Sequence, residues 1–256
     1  MYNNRKNNLG ASGLVYMIIY GINPVKEALA SNVRVKKVFI SDRIDGRIRE
    51  IVDRANVTGT KVSRKNREFF RESGPKSSQL VAAEIDFSTV PFERLFTHGG
   101  EVSGVFLALD LIEDPRNLGA IVRGAVACGI NGVIIQSRRS CGITSTVFSA
   151  SAGAVAHIRV SEVPNIKNAI NVFREEGFKV IGADSSGSEL YWDVDYLPPS
   201  VIVMGSEGKG LRKTVKTLCD VVVKIPMEMN IASLNVSVAS GIILYEAYRQ
   251  IKYGGR

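Results

Sequence analysis

Residues 221–250 read VVVKIPMEMNIASLNVSVASGIILYEAYRQ. The β-branched opening predicts a strand that reaches Ile225-Pro226-Met227. A loop follows, and Ser233-Leu234-Asn235 then opens a helix running to residue 251. The small residues Ser237, Ala239, Ser240 and Gly241 permit unusually close helix packing. On residue types alone this is a strand, a loop and a capped, tightly packed helix.

Two further stretches break the ordinary strand-helix pattern in a similar way. Residues 201–211, VIVMGSEGKGL, end an apolar strand in a loop with three glycines within Gly205–Gly210. Such a loop lets backbone approach a flat ligand closely or adopt positive φ. It is not a P-loop, because Gly210 is followed by Leu211 rather than Lys and Ser/Thr. A flexible turn would explain the glycines but gives no structural reason for Glu207. Residues 109–124, LDLIEDPRNLGAIVRG, read as strand, acidic loop and helix start. Asn117 fits the N-cap and Arg123 lies six residues on, off that helical face. All three loops follow the C-terminal ends of strands, where open α/β sheets place their ligands.

Around these loops, strands are expected at 105–109, 132–136, 155–160, 178–183 and 201–204, with helices at 117–128, 165–177 and 233–251. Strands alternating with helices argue for a parallel sheet covered on both faces. The first hundred residues form a smaller α/β unit. It comprises a strand from Tyr16, a helix opened by Asn23-Pro24, strand KKVFIS (36–41), a helix over 43–56, strand KVS (61–63), helix NREFFRES and strand LVAAEI (80–85). Residues 1–15 are polar, Asn-rich and aperiodic, and are expected to be a disordered tail. This divides the chain into a tail (1–15), an N-terminal domain (16–86), a connection (87–103) and a C-terminal domain (104–256).

Charge separates the same two units. Residues 1–100 carry 17 Lys and Arg against 10 Asp and Glu, and residues 101–256 carry 16 against 15, so the net +8 sits almost wholly in the N-terminal part. An anion-gripping module looks like this, with nucleic acid the obvious partner; a solubilising surface gives the same count. Cys128, Cys141 and Cys219 are odd in number and far apart, and only two histidines are present. Neither a disulfide framework nor a metal site is therefore expected. With no signal peptide and no apolar run long enough to span a bilayer, a reducing cytoplasmic setting is the default.

Taken together, DPRNLGAIVRGA, MGSEGKGL and IPM...SLNVSVASG resemble, in order and separation, the three motifs of the SpoU (TrmH) RNA 2′-O-methyltransferases. YGINPVKEAL near the start is similar to the opening of the N-terminal domain in the RlmB-type branch, which acts on guanosine in large-subunit ribosomal RNA. The resemblance implies a parallel-sheet SPOUT domain with a deep trefoil knot. A small ribosomal-protein-like RNA-binding domain would precede it.

The resemblance also implies S-adenosylmethionine as cofactor, bound by Met204, Gly205, Glu207, Gly208, Ile225, Met227, Ser233 and Leu234. Asn117, Arg123, Glu207 and Asn235 would carry catalysis. Arg123 matches the family's catalytic arginine, for which a base role has been proposed. A guanidinium stays protonated in proteins, so holding phosphate and ribose and stabilising developing alkoxide is the role its chemistry allows. Lys36, Lys37, Arg64, Lys65, Arg67 and Arg71 are candidates for contacts to the RNA backbone, which supply affinity rather than sequence choice. A homodimer with residues of both subunits in each site is implied, and no metal.

Three other readings compete. Transfer RNA, or a ribosomal adenosine, would keep the chemistry and change the substrate. A non-catalytic RNA-binding assembly factor would not require Asn117, Arg123, Glu207, Ser233 and Asn235 to be intact, as they are. A nucleotide-dependent oxidoreductase fits the alternation of elements but lacks the G-x-G-x-x-G fingerprint.

Overall fold

Three strands of the C-terminal half, VFLAL at Val105–Leu109, GVIIQ at Gly132–Gln136 and SVIVM at Ser200–Met204, are buried at every position. Continuous apolar runs of this kind belong to a parallel sheet with both faces covered. The computed structural model describes residues 13–42, 45–73, 79–95, 97–98, 101–228 and 233–254, and contains such a sheet.

The chain first builds a smaller unit. Its elements are β1 (Leu14–Tyr20), α1 (Ile22–Ala30), β2 (Arg34–Ile40), α2 (Gly46–Val57), β3 (Lys61–Arg64), α3 (Arg67–Ser73) and β4 (Val81–Ser88). The sheet order is β1-β4-β2-β3, with β4 antiparallel to both neighbours and β3 parallel to β2. Strand alternation sends Met17, Ile19, Val38, Ile40, Ala83 and Ile85 to the core beneath α1 and α2. On the other face, Phe70 of α3 is fully buried against Tyr20, Phe39 and Ala82.

A short hairpin, β5 (Thr97–His98) with β6 (Glu101–Val102), leads to the second unit. There follow β7 (Val105–Leu109), α4 (Pro115–Ala127), β8 (Gly132–Gln136), α5 (Ser145–Ala150), β9 (Val160–Val163), α6 (Ile166–Glu175), β10 (Lys179–Ala183), β11 (Glu189–Leu190), β12 (Ser200–Met204), α7 (Lys213–Lys216), β13 (Val221–Lys224) and α8 (Val236–Tyr253). The sheet order is β11-β13-β10-β12-β7-β8-β9, and every pairing is parallel. One face, with Phe106, Ile134 and Val201, packs on Ile166, Ile170 and Phe173 of α6. The other, with Leu107, Val133 and Ile202, packs on α4 and α8, and its apolar cluster runs without a break into the core of the N-terminal sheet. Phe87 of β4 meets Phe148 of α5 edge-on at 5.4 Å across that junction.

Several elements differ from the sequence reading. Of the expected tail, residues 1–12 lie outside the described residues, whereas Leu14 and Val15 already pair with Ser88 and Phe87 in the sheet. Asn23 is not the cap of α1: Gly21 occupies that position, and the Ile22 N–H is taken by the Gln79 side chain at 3.0 Å. The helix expected from residue 43 is capped by Asp45, which accepts from Arg47 and Ile48 N–H, and residues 43–44 lie outside the described set. The strand expected at 155–160 is a 3-10 turn over Ala154–His157, with β9 starting only at Val160. Local turn bonds from Ala154 to Ser151 and from Ala156 to Gly153 outcompete strand pairing there. The connection after β4 is itself packed: the Val90 N–H donates to Val160 O, and Phe92 and Leu95 are fully buried against the α6 side of the sheet. Among the described residues no helix is long and apolar enough to cross a membrane.

Candidate active site

Because the strands are parallel, the exits of β7, β12, β10 and β13 share one edge of the sheet. At the β12 exit the chain turns sharply. The Ser206 N–H donates to Gly210 O, and the Gly210 N–H returns to Ser206 O. A Cβ on Gly205 would lie 2.1 Å from the Gly210 carbonyl carbon, so only glycine lets the loop close on itself.

This loop walls a cavity of about 350 Å³. Met204, Gly205, Glu207 and Gly208 line it from the β12 side; Ile225, Met227, Ser233 and Leu234 line it from the segments around β13 and the start of α8. All eight residues expected to hold the cofactor thus face one cavity. Residues 229–232, in the same connection, lie outside the described set. Apolar walls beside closely approached backbone suit an adenine and its ribose, and the volume is that of a small-molecule site. The residues present fit S-adenosylmethionine.

Beside the cavity, three of the four expected catalytic residues are joined. The Asn117 side-chain amide donates to Glu207 Oε1. Asn235 Nδ2 donates to Asn117 Oδ1 at 3.2 Å, while Asn235 Oδ1 accepts from the Ser237 N–H at 2.9 Å and from its hydroxyl at 2.6 Å. Each amide is thereby oriented, and the chain of bonds ties the loops after β7, β12 and β13 together. Asn117 is not the helix cap. Asp114 caps α4 by accepting from Arg116 N–H, with Pro115 in the first helical position. That leaves the Asn117 side chain free to reach Glu207.

Arg123 stands apart. Its side chain is exposed on α4, lines no part of this cavity and has no partner among the described residues. Six residues of helix carry it roughly 9 Å along the axis from Asn117.

Two acids absent from the sequence reading hold the glycine loop. Asp110, at the exit of β7, has a fully buried side chain and accepts from Arg212 Nε at 2.9 Å and from the Arg212 backbone N–H at 3.3 Å. Arg212 Nη2 also donates to Gln136 Oε1 at 3.0 Å. Asp184, at the exit of β10, accepts from the Leu211 N–H at 2.8 Å and pairs with Lys216 at 2.7 Å. Burial alone would raise the Asp184 carboxyl; Lys216, Ser186 and the Leu211 N–H overcome this and hold it below the ordinary carboxylate value. The available signal was an acid directly after each apolar run, VFLALD and VIGAD, at strand exits.

The RNA-contact candidates gather around the outer face of the N-terminal sheet. A β-bulge between Val35 and Lys37 disrupts the alternation of β2. Lys36 lies over Tyr16 at 4.7 Å, and its neighbour Lys37 over Phe39 at 5.2 Å. Lys65 lies over both Phe39 and Phe69. Arg64, Arg67 and Arg71 are exposed. Lys36 differs from the others in being paired with Asp86 at 2.7 Å, which neutralises its charge locally.

Comparison with known proteins decides the family. The SpoU rRNA Methylase family model matches residues 104–245, and a model for RNA 2′-O ribose methyltransferase substrate binding matches residues 18–90. The chain belongs to the SpoU methylase family. Enzymes of this SpoU/TrmH family are S-adenosylmethionine-dependent RNA methyltransferases. A Bacillus subtilis protein named for the TrmH family of tRNA/rRNA methyltransferases is 35% identical over 91% of this chain and 95% of its own. An AdoMet-bound rRNA methyltransferase from Sinorhizobium meliloti superposes with a TM-score of 0.77 at 26% identity, over 92% of this chain and 87% of that one. A TrmH/SpoU tRNA modifying enzyme of A. aeolicus reaches 0.52 at 29% identity, over 62% of this chain and 81% of its own.

Proposed function

We propose that this SpoU methylase transfers a methyl group from S-adenosylmethionine to a ribose 2′-hydroxyl of guanosine in large-subunit ribosomal RNA. The observation that carries the reading is the hydrogen-bonded set Glu207–Asn117–Asn235 standing against the glycine-loop cavity. An N-terminal unit matched by a 2′-O ribose substrate-binding model supports the ribose as target. Ribosomal RNA is favoured over tRNA because the S. meliloti rRNA enzyme matches both units of this chain, whereas the A. aeolicus tRNA enzyme spans 62% of it.

The cofactor supplies a methyl on a sulfonium that is already an excellent leaving group. What remains for the chain is alignment and charge. Met204, Gly205, Glu207, Gly208, Ile225, Met227, Ser233 and Leu234 would hold the cofactor in the cavity they line. Asn117 positions the target nucleotide, Asn235 shapes the place where hydroxyl meets methyl, and Glu207 fixes both amides. Arg123 holds the target phosphate and stabilises developing alkoxide.

Arg123 is remote from this subunit's own Glu207–Asn117–Asn235 set, which supports a homodimer in which it serves a shared site. An exposed apolar stripe on α8, Val238, Tyr245 and Tyr253, offers the surface for it. The adjacency of β11 to β13 and the packing of α8 on α4 support threading of the C-terminal segment into a trefoil knot. We assign RNA gripping to the unit from β1 to β4 and catalysis to residues 104–256, and place the enzyme in the cytoplasm.

The test is transfer of labelled methyl from S-adenosylmethionine to unmodified large-subunit ribosomal RNA and, separately, to tRNA, followed by nucleoside analysis. Label in 2′-O-methylguanosine of ribosomal RNA is expected. Label in tRNA alone would overturn the substrate, and wild-type turnover by Arg123→Ala would overturn the role of Arg123.

A further inference from the structure

The loop leaving β8 carries Arg138 and Arg139, both exposed and neither side chain partnered among the described residues. β8 pairs in parallel with β7, so this loop emerges on the edge of the sheet that bears the glycine loop and Asn117. Order β12-β7-β8 puts the exit of β8 two strands from that of β12, roughly 10 Å away at the usual strand spacing. One or two nucleotides span such a distance.

This is not a slack surface loop. The Arg138 carbonyl accepts from Gln136 Nε2 at 2.9 Å, and Gln136 Oε1 in turn accepts from Arg212, the residue locked onto buried Asp110. The Cys141 N–H donates to Ile112 O at 2.8 Å, fastening the loop to the β7–α4 connection that leads to Asn117. Arg139 has φ +58°, and Leu111 in the neighbouring connection has φ +62°. Glycine or asparagine ordinarily fills such left-handed positions, and an arginine held there concentrates strain at a functional edge. Of the three acids in the neighbouring connection, Asp110 is paired with Arg212 and Asp114 caps α4, leaving Glu113 against two guanidiniums.

We propose that Arg138 and Arg139 grip phosphates of the RNA strand flanking the nucleotide that is methylated, forming a contact surface on the catalytic unit itself. Guanidinium forks suit bidentate phosphate contacts. The Gln136–Arg212–Asp110 chain fixes this grip relative to the glycine loop, so phosphate and methyl donor are registered by one rigid network. The inference rests on the RNA methyltransferase reading above.

The test compares wild-type protein with Arg138→Ala/Arg139→Ala on an unmodified transcript of large-subunit ribosomal RNA. KM for RNA should rise about tenfold with kcat within about twofold, as expected for lost uniform binding. The slope of log binding constant against log salt should shrink by about 1.4, two single-strand phosphate contacts. S-adenosylmethionine affinity should be unchanged, which shows that the site is still folded. Arg139→Gly, which keeps the left-handed backbone and loses the charge, should resemble Arg139→Ala. Unchanged RNA affinity and salt slope in the double variant, or wild-type affinity in Arg139→Gly, overturns the grip while leaving methyl transfer intact. A wild-type protein that neither binds nor methylates RNA overturns both readings.

Discussion

Asp110→Ala tests whether the buried ion pair behind the glycine loop holds the site in place. The Asp110 carboxylate has no exposed surface, and Arg212 meets it through Nε, Nη2 and its own backbone N–H. Removing one partner of a fully buried pair costs about 3–5 kcal/mol, because the other charge is left without compensation. Arg212 keeps 35% of its side-chain exposure, so water recovers part of that cost, and a loss of about 2 kcal/mol is the reasoned figure. At about 2–4 °C per kcal/mol for a chain of this size, the thermal midpoint should fall by about 4–8 °C. Arg212→Ala should cost more, about 3–5 kcal/mol, because the carboxylate it leaves behind has no exposed surface. The double variant should cost less than the sum, with a coupling energy of about 1–2 kcal/mol. Thermal unfolding with and without S-adenosylmethionine measures this, and the cofactor should stabilise Asp110→Ala less than wild type, because Arg212 directly follows the loop that lines the cavity. A midpoint within about 1 °C of wild type, or additive single variants, would refute the reasoning.

Gly205→Ala should weaken S-adenosylmethionine binding on the order of 100-fold by calorimetry, since its Cβ would overlap the Gly210 carbonyl and displace the cavity wall. The Asp184 carboxyl sits below its unfolded value, so its stabilisation is present above that unfolded value and is lost as pH falls through the folded one; Asp184→Asn should flatten the acid limb of thermal stability against pH. Burial pushes the Cys128 thiol up to about 11 and the Cys219 thiol up to about 12, so neither should alkylate in the native protein at neutral pH; mass spectrometry before and after unfolding checks this.

The sequence made the sheet legible where physics is local. The runs VFLAL and SVIVM are short, apolar and followed by polar loops, which reads as a strand, and a capped start reads as the opening of α8. It misled at 155–160, where apolar residues line a turn closed by short-range backbone bonds, and α5, with six residues, is too short to display a period. Within the site, resemblance placed eight residues around one cavity, but the bonds that organise it lie beyond any spacing rule. Asn117 meets Glu207 across 90 residues, Asn235 meets Asn117 across 118, and Arg212 meets Asp110 across 102. Reading Asn117 as a cap was reasonable by residue type, yet Asp114 with Pro115 satisfies the helix start and releases it for the site.

The glycine loop shows why two acids stand at strand exits, Asp184 in the wall of the cavity and Asp110 behind it. The loop returns to the fold at Leu211 and Arg212, and these consecutive backbone N–H groups are taken by different carboxylates, Asp184 from β10 and Asp110 from β7. Both acids are buried at the side chain and each has its own cation, Lys216 and Arg212. The base of the loop is therefore clamped to strands on either side of β12, while Glu207, Gly208 and Lys209 at its tip stay exposed. A loop clamped at its base and open at its tip can hold a flat ligand against fixed backbone and still present Glu207 to Asn117. With Arg212 also bonded to Gln136, the clamp extends one strand further, to the loop bearing Arg138 and Arg139. Weakening Asp110 should therefore disturb cofactor and RNA affinity together, whereas weakening Asp184, on the far side of β12, should disturb the cofactor alone.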